Sequence, residues 1–276
     1  MPRLPSDLPP VTIVVLVVLA VALVLSEPVV GRAQYRHFLA EVADRGEPAR
    51  LRHYARWIAQ GWAWAVLVTG AVVVLPEVGL AELGLRRQDL NRPLTGLGIT
   101  LSPSMLSGFA IGLVLGVVLL AVAVRRGRSQ DPPNLEAVRP MLPTTRRGRW
   151  GWAGVSVTAG ITEEILYRGL LVLVVTALAP DLPPGLLVLG LAVLFGLAHW
   201  YQGRAGMLST GLAGALLTGL YLVTGSLLLP ILVHCLIDLR ALLIPSVVAP
   251  PTDDPEAVPA SPGSRSVVPG HDPVST

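Results

Sequence analysis

A chain of 276 residues that is 52% hydrophobic and only 14% charged departs from soluble globular proteins, in which about a quarter of the residues are charged. Its mean hydropathy of +0.63 marks a membrane protein, with the lipid bilayer as its surroundings. The net charge of +3 lies in short loops between apolar runs, so it reads as a topology signal and not as the footprint of a nucleic-acid partner; the single cysteine, Cys235, sits in an apolar segment and excludes a disulfide framework.

Apolar spans follow in order at 11–25, 58–75, 105–124, 155–179, 186–201, 207–223 and 227–248. Most approach the roughly 20 residues that a membrane-crossing helix needs, and the shorter ones can borrow flanking residues or tilt. The expected fold is all-α, a polytopic transmembrane helical bundle of about seven spans. The first span could serve as a signal-peptide core, but Ser26-Glu27-Pro28 is a poor cleavage site.

Arginine placement tests the span count, because alternate loops share a side and cytoplasmic loops collect positive charge. The loop after span one holds Arg32, Arg36, Arg45, Arg50, Arg52 and Arg56, and the loop after span three holds Arg125, Arg126, Arg128, Arg139, Arg146, Arg147 and Arg149. With Arg204 and Arg265 one side collects fifteen arginines, against four on the other, Arg3, Arg86, Arg87 and Arg92. The split predicts an external N-terminus and a cytoplasmic C-terminus. All basic residues are arginine, which hints at a GC-rich bacterial genome and hence at the bacterial plasma membrane. Residues 1–149 form an N-terminal part of helices and arginine-rich loops, 150–248 a second part, and 249–276, rich in Pro, Ser and Asp, a tail expected to be disordered on the cytoplasmic side.

Ionisable residues separate the two parts. The first three spans contain none, whereas Glu163, Glu164, Arg168, His199, His234 and Asp238 sit on three apolar helices of the second part. Each charge at the centre of a membrane helix costs about 2.5 to 3.5 kcal/mol on an insertion scale, so such groups mark functional sites. Glu164 and Arg168 are one helical turn apart and can pair, with the acid on the favourable N-terminal side. Glu163 is rotated about 100° from Glu164 and is free to face another group. Phe195 and His199, and again His234 and Asp238, are also one turn apart.

These residues carry a resemblance. Glu163-Glu164-x-x-x-Arg168 in TEEILYRG, Phe195-x-x-x-His199 in FGLAHW and His234-x-x-x-Asp238 in HCLID resemble the three ordered motifs of the CAAX protease and bacteriocin-processing family of intramembrane proteases, which includes the type II CAAX prenyl endopeptidases. The resemblance covers about a third of the chain, beginning at Trp150, and makes 150–248 an intramembrane protease core; nothing before Trp150 shares in it. It implies an endopeptidase that hydrolyses a membrane-associated protein or peptide substrate.

In that chemistry Glu163 acts as general base on a water positioned with His199, Arg168 holds Glu164 ionised, and His234 stabilises the oxyanion. The family ends its last motif in Asn or Asp. An ionised Asp238 cannot donate to an oxyanion, so it orients His234 or is itself protonated. Histidines and carboxylates also suit a divalent metal such as zinc with bound water, while a glutamate-based mechanism needs no metal; the metal-independent route is preferred. A non-catalytic membrane scaffold or immunity-type protein, and a proton-coupled transporter with mid-membrane Glu, His and Asp, are the competing readings; the transporter would call for broken helices or inverted repeats.

Overall fold

The computed structural model of the chain describes residues 8–87, 94–96, 99–102, 138–243 and scattered positions between 104 and 122. The described chain is all-α: six helical rods, one of them built of three consecutive segments, with one two-stranded antiparallel hairpin, β1 (Leu94–Gly96) and β2 (Ile99–Leu101), in register Thr95 to Thr100. Helix α1 spans Pro10–Arg45 and α2 spans Glu47–Val74. Helix α3 (Arg146–Glu164) runs through a π-helical stretch, Ile165–Leu171, into α4 (Val172–Leu178), so the three form one continuous rod. Helices α5 (Pro184–Ala198), α6 (Gly203–Thr224) and α7 (Leu228–Leu239) complete the order.

Among the described residues, three helical stretches are long and apolar enough to cross a bilayer, Pro10–Arg45, Glu47–Val74 and Trp200–Thr224. Of the seven expected spans, 11–25, 58–75 and 207–223 fall on these three stretches. Span 105–124 lies largely outside the described residues, as does the tail 249–276. Span 155–179 belongs to the rod that carries Glu163, Glu164 and Arg168. Span 186–201 becomes a helix of 15 residues and span 227–248 one of 12 followed by a short 3-10 turn, Arg240–Leu243. Large apolar side chains nevertheless face outward on α1 (Val14, Val18, Val21), α5 (Leu189, Val193) and α6 (Leu208, Leu212), as an apolar solvent requires.

The arginine-rich loop expected after span one is helical. Helix α1 continues through Pro28, whose ring removes one backbone donor, and carries Arg32, Arg36 and Arg45; α2 then starts after a single connecting residue and carries Arg50, Arg52 and Arg56. That connector is Gly46, at φ 57° and ψ −134°, a left-handed conformation that a side chain would strain. Glu47 and Arg50 next to this elbow hold the chain that leads into α3. Glu47 accepts from Thr144 Oγ1 at 2.7 Å and from Thr145 Oγ1 at 2.9 Å; Arg50 pairs with Glu47 and donates from Nε to the Pro140 carbonyl at 3.0 Å. Thr145 caps α3 by accepting from the Gly148 N–H at 2.9 Å.

Close helix approaches place the site. A Cβ on Gly160 of α3 would lie 3.0 Å from the Cys235 backbone nitrogen of α7, and one on Gly196 of α5 would lie 2.7 Å from the Met207 carbonyl of α6. Small residues that let backbones meet are the usual device of membrane helix packing. The main core gathers Leu16 and Leu23 of α1, Val68 of α2, Leu166 and Leu170 of the π stretch, and Leu191 and Phe195 of α5.

Candidate active site

The rod, α5, α6 and α7 bring all six singled-out residues into one region, in two layers. Glu164, Arg168 and His234 are 0%, 1% and 5% exposed. The Arg168 guanidinium donates from Nη1 to Glu164 Oε1 at 2.8 Å, from Nη2 to the Gly214 carbonyl at 3.0 Å and from Nε to Thr218 Oγ1 at 3.4 Å. Its Cζ stands 4.6 Å from the centroid of the Phe195 ring, a cation–π contact worth most where water is excluded. One side chain of the rod is thereby tied to α5 and α6. Glu164 extends the network to α7 by accepting from His234 Nδ1 at 2.7 Å. A buried carboxylate is tolerable only when paired and hydrogen-bonded, and here Oε1 receives both an arginine and an imidazole.

The Glu164 bond fixes one proton. A carboxylate can only accept, so His234 carries hydrogen on Nδ1 and turns Nε2 the other way. Nε2 lies 3.9 Å from Glu163 Oε2 and 3.8 Å from Asp238 Oδ2, distances beyond a direct hydrogen bond. Asp238 therefore stands beside His234 without gripping it. The Phe195 ring meets the His234 ring edge-on, with centroids 5.9 Å apart at 81°, and holds its plane.

His199 was expected inside a span. It caps α5 instead, at φ −95° and ψ 22°, where the chain turns through Trp200–Gln202 into α6. Its Nδ1 lies 2.8 Å from the Phe195 carbonyl; the carbonyl accepts, so Nδ1 carries hydrogen and Nε2 is left with a lone pair.

Glu163, His199, His234 and Asp238 line one cavity of about 330 Å³, whereas Glu164 and Arg168 stand behind its wall. Glu163 Oε2 is buried without a hydrogen-bond partner, which leaves an unsatisfied acceptor on a residue that lines the cavity. The cavity also has walls that the sequence did not disclose. Glu27, Gln34 and Tyr35 come from α1, Gln60 from α2, and Tyr201 from the turn after His199; Gln34 donates to Gln60 at 2.8 Å across the α1–α2 seam. In the sequence Glu27 is an acid at the edge of an apolar run, and beside Pro28 it reads as cleavage-site context.

The donor set suits zinc in kind but not in spacing. Two ligands at 2.0–2.1 Å on a tetrahedral ion stand about 3.3 Å apart, and His234 Nε2 is farther than that from both neighbouring carboxylates. Its Nδ1 is already taken by Glu164. These groups are spaced for a water among them rather than for an ion held by all of them.

The apolar helices make this an integral membrane protein. Residues 146–240 match the family model described as type II CAAX prenyl endopeptidase Rce1-like, so the chain contains a domain of that family, from the first residue of α3 to just past α7. Membership implies an intramembrane protease acting on a protein or peptide. No curated protein and no solved structure matches the chain. Helices α1 and α2, which supply Glu27, Gln34, Tyr35 and Gln60, lie outside the matched segment.

Proposed function

We propose that this protein is an intramembrane endopeptidase that hydrolyses peptide bonds of a membrane-associated protein or peptide with a water activated by Glu163 and His199. One observation carries this reading: the Glu163 carboxylate, buried and unpartnered at Oε2, faces the same cavity as the open Nε2 atoms of two imidazoles from other helices. Burial of the Glu163 Oε2 atom and of His234 strengthens these interactions.

The water gives one hydrogen bond to His199 Nε2 and its other proton to Glu163 as its oxygen attacks the scissile carbonyl carbon. The carbonyl π pair moves onto oxygen, and protonated Nε2 of His234 donates to that oxyanion. Collapse breaks the C–N bond while Glu163 returns its proton to the leaving nitrogen, which yields an acid and an amine. Arg168 and Glu164 touch neither water nor substrate in this scheme; they hold the Nδ1 side of His234 so that Nε2 faces the cavity. Asp238 stands beside His234 Nε2 at the cavity wall, where its side chain can reach the oxyanion or a water.

The arrangement in the membrane follows from the arginine split, with the C-terminus cytoplasmic and the rod and shorter helices spanning alongside the three long ones. Helices α1 and α2 complete the cavity wall. Comparative proteomics of membrane and secreted peptides from wild type and a Glu163→Gln strain tests the activity and finds the substrate. Peptides that accumulate uncut in the mutant are expected; identical profiles would remove the protease reading in favour of a scaffold.

A further inference from the structure

Away from the cavity, at the elbow where α1 turns into α2, three metal-ligating side chains converge. His37 and Glu41 are one turn apart on α1, and His53 reaches across from α2. His37 Nε2 is 3.5 Å from Glu41 Oε1, and His53 Nε2 is 3.0 Å from Glu41 Oε2. Among the described residues, this is a group of three possible ligands whose donor atoms all lie within 4.8 Å of one another. We propose that His37, Glu41 and His53 form a binding site for a divalent transition metal, zinc being the ion whose ligand chemistry fits.

The spacing supports the assignment. Two ligands at 2.0–2.1 Å on a tetrahedral ion are about 3.3 Å apart, and each imidazole nitrogen stands near that distance from one Glu41 oxygen, His37 from Oε1 and His53 from Oε2. Both imidazoles present Nε2 to the same carboxylate, which an intrahelical ion pair alone does not require. The ring of His53 is fixed from behind by Phe38, edge-on at 5.1 Å and 83°, so the donor is preorganised. His37 is 60% exposed on its side chain while His53 is 3%, which gives one ligand at the mouth for entry and one anchored inside. Three protein ligands leave a fourth position for water. Arg52 Nη2 competes for Glu41 Oε2 at 3.7 Å, on a side chain 43% exposed and able to swing away.

The site is distinct from the catalytic cavity but touches its wall. His53 and Trp57 have ring centroids 6.0 Å apart, and Trp57 lines the cavity. An ion here would clamp α1 to α2 beside the N-terminal wall of the active site.

The test uses the full-length protein purified in detergent, stripped with a chelator, exposed to zinc chloride and desalted. Bound zinc is measured by mass spectrometry, and zinc-induced protection by thermal unfolding. Wild type is expected to retain one zinc per chain and to unfold at a higher temperature with zinc, as binding to the folded state alone requires. His37→Ala, at an exposed position that folding does not need, should weaken binding by roughly 100-fold or more, since losing even a supporting partner of a ligand costs 10- to 100-fold. Arg52→Ala should tighten it by removing the competitor. His199→Ala and Glu163→Gln should leave it unchanged. Equal zinc retention by wild type and His37→Ala, or loss of the zinc in His199→Ala, overturns the proposal.

Discussion

Two Glu–Arg pairs in this molecule use the same chemistry in different surroundings. Glu47 and Arg50, at the α1–α2 elbow, bond to Thr144, Thr145 and the Pro140 carbonyl and fasten the chain that enters α3. Glu164 and Arg168, deep in the rod, bond to His234, Thr218 and the Gly214 carbonyl and join two further helices, α6 and α7. The outer pair fixes where a helix starts; the inner pair fixes where an imidazole points. The difference is what each pair positions beyond its own bonds. The Glu47–Arg50 pair fastens backbone and hydroxyl groups of the chain entering α3, whereas the inner pair sets His234 Nε2 beside the unsatisfied Glu163.

The contrast can be broken experimentally. The largest effect should come from Glu163→Gln, which removes the proton acceptor without adding bulk: cleavage in a membrane-based assay should fall by about 10²- to 10⁴-fold while insertion, checked by protease protection, is retained. Arg168→Ala should follow, because it strips the guanidinium from the buried Glu164 carboxylate and leaves only His234 as its partner, at a cost of about 3–5 kcal/mol that thermal unfolding in detergent would read, together with loss of cleavage. A variant that unfolds like wild type would show the inner pair to be dispensable.

Asp238 sharpens the comparison from the side of the cavity. Since Oδ2 stands 3.8 Å from His234 Nε2, Asp238→Asn keeps shape, adds a donor and should retain most activity, whereas Asp238→Ala should lose most of it. An Asn variant as inactive as the Ala variant would make Asp238 an ionised partner or a metal ligand. At the outer pair, Arg50→Ala should cost about 1–3 kcal/mol of stability through its unpaired buried acceptors with cleavage per folded molecule little changed. Chelation should have the smallest effect, leaving the cleavage rate of the purified protein close to its starting value.

The inner pair was legible from the sequence because charge inside an apolar run is costly and demands a partner, and the i, i+4 spacing named that partner. The helix identities in the second half were legible for the same reason of hydropathy. The elbow was not. Arg50, Glu47, His37, Glu41 and His53 sit in a stretch where polar residues are ordinary, and counting arginines for topology made a loop of what is two helices joined at Gly46. His199 also moved, from inside a span to the end of α5, because periodicity shows which face a residue shares but not where the helix stops. Glu27 was hidden by Pro28, which reads as a helix end although α1 runs through it.

The π-helical stretch Ile165–Leu171, buried at every position, makes the rod sensitive to length in a way that composition does not show. Each residue of an α-helix turns the chain by about 100°, and a π turn accommodates its residues with a wider winding. A one-codon deletion within this stretch would let the segment rewind as regular α-helix with its apolar character intact. The part of the rod before it would then be turned relative to α4, and Glu163 would be carried away from the imidazoles across the cavity. Such an in-frame deletion would yield a protein that still inserts, still looks like a membrane helix to any hydropathy measure, and has lost its reaction.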